Sequence, residues 1–299
     1  MIQQNRLASW LALMTLVAPA AFAQPDRGNC EHRDTVELSG PSAAALEVKS
    51  GAGAVEITGE PELNEFRVTA TLCAANGELL DGLAVSLEGE RLRTTYPERQ
   101  GSGWAFWRNH YASIHLAVRV PAATAIDLED GSGSVIVSDV GPVAVRDGSG
   151  SLRLSRTGSV RVEDRSGGLR ISGARGDVVV EDGSGSLTIE DVTGDVSVED
   201  GSGSLSIREV TGSVTLEDGS GGVKIHEVTG NVVVTDDGSG SIEIERVGGE
   251  VRVSDAGSGS VRVRDVEGGL TVTGVRRSRI DHEDIRGELD LPPDRRRRR

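Results

Sequence analysis

The sequence predicts an all-β fold: a parallel β-solenoid, or β-helix, of about 18 residues per coil. Three observations carry this. Between Asp130 and Gly269 one unit recurs: a Leu-x-Ile strand, a Val-x-Gly corner, a Val-x-Val strand and an Asp-Gly-Ser-Gly turn. The turn glycines Gly131, Gly148, Gly183, Gly201, Gly219, Gly238 and Gly257 fall about 17 to 19 residues apart, with Arg165 standing in one coil. Within a coil the apolar residues alternate: Leu187 and Ile189 flank Thr188, and Val196 and Val198 flank Ser197. Period two means strands with one buried face. Aromatics are few, glycine is frequent and β-branched residues hold the periodic positions, so helical signals are absent along the chain.

The corner valines Val192, Val210, Val228, Val247 and Val266 are each followed two residues on by glycine. With two apolar residues on each strand, a coil buries about five side chains. That is too little to order a coil alone. Stacked coils fold because each strand bonds to its counterparts above and below, and each apolar layer covers the next.

The elements follow in order. Residues 1–23 carry Arg6, an apolar run from Leu7 to Val17 and Ala21-Phe22-Ala23, which reads as a signal peptide cleaved before Gln24. No later stretch is long and apolar enough to cross a bilayer. Residues 24–45 form an N-terminal segment. Cys30 and Cys73, in an exported and oxidising compartment, are expected to form a disulfide that ties this segment to the first strands. Residues 46–121 read as irregular first coils and an N-terminal cap. They hold the aromatic concentration Tyr96, Trp104, Phe106, Trp107 and Tyr111, which either covers the first core layer or stacks on a glycan. Residues 122–274 are the regular repeats. Residues 275–294 lose the repeat, gain charges and Pro292-Pro293, and read as a C-terminal cap. Five arginines, Arg295–Arg299, form the tail.

Repeats such as Gly-Ser-Gly-Ser-Leu-Thr-Ile-Glu-Asp-Val-Thr-Gly-Asp-Val-Ser-Val-Glu-Asp, preceded by Leu116-Ala-Val-Arg-Val-Pro121, resemble the bacterial putative-adhesin family of β-strand-repeat domains of unknown function, relatives of head-GIN adhesin-like domains. The resemblance covers roughly residues 46–287. It implies a right-handed parallel β-solenoid in an exported bacterial protein, periplasmic or extracellular. It brings no catalytic residues with it.

The most pointed chemical feature is a column of aspartates, among them Asp182, Asp200, Asp218 and Asp237, with Glu163, Glu181, Glu199 and Glu217 preceding four of its members. One reading is turn chemistry: each aspartate accepts from the backbone N–H groups of the Gly-Ser-Gly that follows. The other is a calcium ladder, with carboxylates, carbonyls and serine hydroxyls of adjacent turns supplying the six to eight oxygens calcium needs. Aspartate before the turn, and two core residues per half-coil, differ from calcium-dependent β-rolls.

Catalysis is not expected. Polysaccharide-cleaving β-helices build their sites on long loops between coils, and no insertion interrupts Asp130 to Gly269. The five histidines form no metal-ligand spacing. A formal charge of −15 disfavours nucleic acid. Outward on the second strand, Val179, Ser197, Thr215 and Val233 form a small, weakly polar stripe for a partner or another copy. The expected function is a non-enzymatic scaffold that binds an envelope or surface component, protein or glycan. Calcium binding and then polysaccharide cleavage are the alternatives.

Overall fold

The computed structural model describes residues 30–97 and 111–293. The residues read as a signal peptide, Trp104, Phe106, Trp107 and the arginine tail lie outside the described residues. Two sheets of 13 strands each face one another across a continuous apolar core. Each coil contributes one strand to either sheet. In one coil, Gly203–Val210 lies in the first sheet and Val214–Asp218 in the second. The Asp-Gly-Ser turn leads from the second sheet to the first, and the Val-Thr-Gly corner leads back.

Stacking is parallel and in register. Leu187, Leu205 and Val223 lie one above another, as do Ile189, Ile207 and Ile225, and Val196 and Val214. This register follows from the pattern, because a one-residue slip would turn every valine outward. The coil ending in Asp237 is one residue longer. Its strand Val232–Asp237 takes up the extra residue as a bulge opposite Leu216 and Glu217, where the Thr235 hydroxyl donates to the Leu216 carbonyl at 3.2 Å.

The N-terminal end departs from this pattern. Strand His32–Pro41 runs antiparallel to Glu65–Ala74, and that strand antiparallel to Ala112–Pro121. Ala112–Pro121 then pairs in parallel with Val55–Glu60, which joins the first regular strand, Gly133–Ser138. On the other sheet the hairpin Ala84–Glu88 and Arg91–Thr95 packs beside Ala45–Lys49. Phe66, Leu83 and Leu92 are buried here. A short helix, Gly77–Asp81, appears where no helical signal was expected: the Asn76 side chain accepts from the Leu79 N–H at 2.9 Å and caps it. Cys30 and Cys73 form the expected disulfide, with their Cα atoms 5.3 Å apart. It fastens the start of the outermost strand to the strand it pairs with.

At the C-terminal end, the stretch that loses the repeat in sequence continues it in structure. Ile280–Ile285 stacks on Ser260–Val266, and Leu289–Asp290 on Leu270–Val272. Ile280 and Val275 supply the buried side chains, while Asp281, Glu283 and Asp284 point outward. Inward positions are thus met by residues spaced irregularly in the sequence, which hides the period.

Candidate functional site

The aspartate column lies on the inward face. In strand Val196–Asp200 the residues alternate buried and exposed, so Asp200 follows Val196 and Val198 inward while Glu199 points out. Register then stacks the aspartates: Asp164, Asp182, Asp200, Asp218 and Asp237 oppose one another coil by coil. At Asp164, Asp182, Asp200 and Asp218 one carboxylate oxygen accepts from the backbone N–H of the serine two residues on, at 3.1 to 3.2 Å. This is the Asx turn that an Asp-Gly-Ser sequence favours. At the first coil the Ser50 hydroxyl donates to Asp130 at 2.5 Å.

The turn does not satisfy the whole column. The second oxygens of Asp130, Asp164 and Asp182 are buried without a partner, and neither oxygen of Asp147 or Asp237 has one. Asp147 is 4% exposed and Asp237 fully buried. Burial, followed by the charge of the neighbouring aspartates, pushes the carboxyls of Asp147, Asp182 and Asp237 up to about 6. Burial also raises Asp130, Asp164, Asp200 and Asp218. Asp147, Asp182 and Asp237 therefore take up protons well above the usual carboxylate range.

Over this column runs a groove of about 1010 Å³, open along seven coils from Glu129 to Gly238. Twelve carboxylates line it, against the two guanidiniums of Arg146 and Arg165. At its N-terminal end the outer acids are paired: Lys49 sits 2.8 Å from Glu129, and Arg146 sits 3.5 Å from Glu163. Among the described residues the ion pairs of this row stop there. Glu181, Glu199 and Glu217 are exposed and stacked in register.

Sequence reasoning placed Asp182, Asp200, Asp218 and Asp237 together, and they form one line. Among the described residues, no three His, Cys, Asp or Glu side chains converge closely enough to hold a metal ion. The stripe residues Val179, Ser197, Thr215 and Val233 also stack in register, bounded by Arg161 and Arg252 in the adjoining coils. Of the aromatics, Tyr96 packs under the first coil, its hydroxyl donating to the Ala52 carbonyl at 2.8 Å and accepting from the Ala52 N–H at 3.0 Å. Tyr111 lies partly exposed.

Two features escaped the sequence reading. A second polar ladder holds the opposite corner, where Asp177, Asp195, Ser213 and Asn231 each accept from the backbone N–H of the next coil at 2.8 to 3.1 Å. The signal was present as the polar residue that follows each corner glycine. The second feature is a Ser–His contact: His115 Nε2 lies 3.2 Å from the buried Ser113 hydroxyl. His115 Nδ1 accepts from the Ala54 N–H at 3.1 Å, which places the ring proton on Nε2. The imidazole thus donates to Ser113, whose hydroxyl in turn bonds Tyr111. In that tautomer it cannot take the serine proton, and the arrangement ties strands together without activating a nucleophile.

No family model matches the chain, and no curated protein matches it. Among solved structures, a "putative adhesin" from Parabacteroides distasonis aligns at 11% identity and a TM-score of 0.41, covering 86% of this chain and 97% of the other. A "putative lipid binding protein" from the same organism aligns at 13% identity and 0.39, covering 89% and 98%. A "putative cell adhesion protein" from Clostridium sporogenes aligns at 9% identity and 0.27, covering 86% and 98%.

Proposed function

We propose that the chain is an exported, non-enzymatic β-solenoid that works as an adhesin-like interaction scaffold at the bacterial envelope. The observation that carries this reading is the in-register stacking of coils, which sets each outward position in a column repeated at coil spacing. Such an array meets a repetitive or extended surface through many weak contacts at once, and their combined strength exceeds that of any one. The Cys30–Cys73 disulfide and the signal-peptide pattern support export. The stripe Val179, Ser197, Thr215 and Val233 is the contact face, for an envelope component or another copy.

Cosedimentation of the mature chain with outer-membrane vesicles and with peptidoglycan tests the scaffold. Binding to one of them should fall about tenfold or more in the Val179→Glu, Thr215→Glu double variant, with an unchanged far-ultraviolet spectrum. Binding to neither, or release of reducing ends from a uronic-acid polymer, would sink the proposal.

A further inference from the structure

We propose that the acidic groove binds a linear oligoamine whose ammonium groups are three carbons apart, laid lengthwise along Glu181, Glu199 and Glu217. Two independent observations meet at this groove. Its outer row carries charge that no cation of the described chain offsets beyond Glu163. Its floor beneath Glu181 holds Asp182, 4% exposed with one oxygen unpartnered. Buried carboxylates left this way call for a proton or a cation.

The arrangement selects the shape of that cation. The carboxylates are strung in line and no three converge, so a point ion finds few ligands at any one place. A chain of charges finds one carboxylate per step. Coils stack about 4.8 Å apart, and an extended trimethylene spacer sets successive nitrogens about 5 Å apart. A triamine of this kind therefore spans three coils in step with the three free glutamates. Lysines on one face of an extended peptide repeat at about 6.8 Å and fall out of step. Arg146 and Arg165, at the N-terminal end of the groove, leave this middle stretch to the ligand.

Binding is linked to protons. Ammonium groups above the column favour the charged form of Asp182 and Asp200, whose neighbours are Asp164 and Asp218 on either side. Near pH 6 the ligand should thus displace protons that the floor holds. The contact stripe runs beside this row on the same strands, with Val179, Ser197 and Thr215 two positions before Glu181, Glu199 and Glu217.

Isothermal titration of the mature chain, residues 24–299, at low salt tests it with bis(3-aminopropyl)amine and bis(hexamethylene)triamine. The trimethylene triamine should bind about tenfold more tightly or better, and Glu181→Gln, Glu199→Gln, Glu217→Gln together should remove about that factor. At pH 6, where all three of its amines are already protonated, its binding heat should vary with the ionisation enthalpy of the buffer. Asp182→Asn, which removes the floor carboxyl pushed up to about 6, should shrink this proton release. Equal affinity for the two triamines, or indifference to the glutamine substitutions, would reduce the effect to a diffuse ion atmosphere and overturn the proposal. Displacement of the amine by equimolar calcium would overturn it in favour of a metal.

Discussion

At Gly203 the backbone runs at φ +147°, and a Cβ atom would sit 1.8 Å from the Gly185 carbonyl oxygen in the coil beneath. Neither the conformation nor the contact admits an L side chain. At Gly201, the first glycine of the same turn, a Cβ would lie 2.4 Å from the Gly183 oxygen, yet Arg165 occupies the equivalent place two coils below. Gly203→Ala should therefore cost about 3 kcal/mol or more and Gly201→Ala clearly less, read from urea unfolding midpoints. The opposite order would contradict this account of the turn. These turn residues were legible in the sequence because Asp, Gly and Ser each have a distinct reason to occupy a turn. The corner was not legible. Asp191, Glu209, Glu227, Arg246 and Asp265, each just before a corner valine, all adopt φ between +52° and +60°. Stacking imposes that left-handed bend, and the residue types there share no preference that would announce it.

Each coil is an element that contacts its neighbours above and below, so the valine columns and the two polar ladders repeat without reference to position along the rod. Removing residues 201–218 joins Asp200 to Gly219 and restores every column. The shortened chain should keep the β spectrum and cooperative unfolding, with a modest loss of stability. Removing residues 201–209 leaves half a coil, sets first-sheet strands against second-sheet strands and should abolish cooperative unfolding. The two outcomes are read by circular dichroism. Loss of folding in both would mean that coils depend on distant partners. The regular coils were readable because strand pairing partners recur at a fixed spacing. The N-terminal antiparallel strands were not, since His32–Pro41 pairs with Glu65–Ala74 across an intervening stretch, and no local pattern fixes that partner. The cysteines gave the one clue, and the disulfide joins those same two strands. The inward burial of the aspartates could have been read from alternation. The outer oxygens left without partners could not, since they depend on how closely successive turns approach.

Over the whole molecule, the aspartate column adds a charge cost to a chain whose formal charge is already −15. Burial and the neighbouring aspartates push Asp147, Asp182 and Asp237 up to about 6 in the folded rod, above the usual carboxylate range. The native state then binds more protons than the unfolded chain between about pH 4 and 6, so stability rises as pH falls through that window. The cost is present in full above about pH 6. Lower still, acid weakens pairs that hold their carboxyls down, such as Asp139 with Arg156 and Glu129 with Lys49. The column is buried turn chemistry compensated by protons, inside a rod that its apolar layers hold together. The most direct test is thermal melting of residues 24–299 in excess chelator at pH 5 and pH 7.5, alongside Asp200→Asn. The expected result is a folded β spectrum without metal and a melting temperature higher at pH 5 by about 4 °C or more, at roughly 2–4 °C per kcal/mol for chains of this size. Asp200→Asn should melt higher than the parent at pH 7.5 and respond less to pH. Unfolding by the chelator, or a melting temperature that falls between pH 7.5 and pH 5, would contradict it.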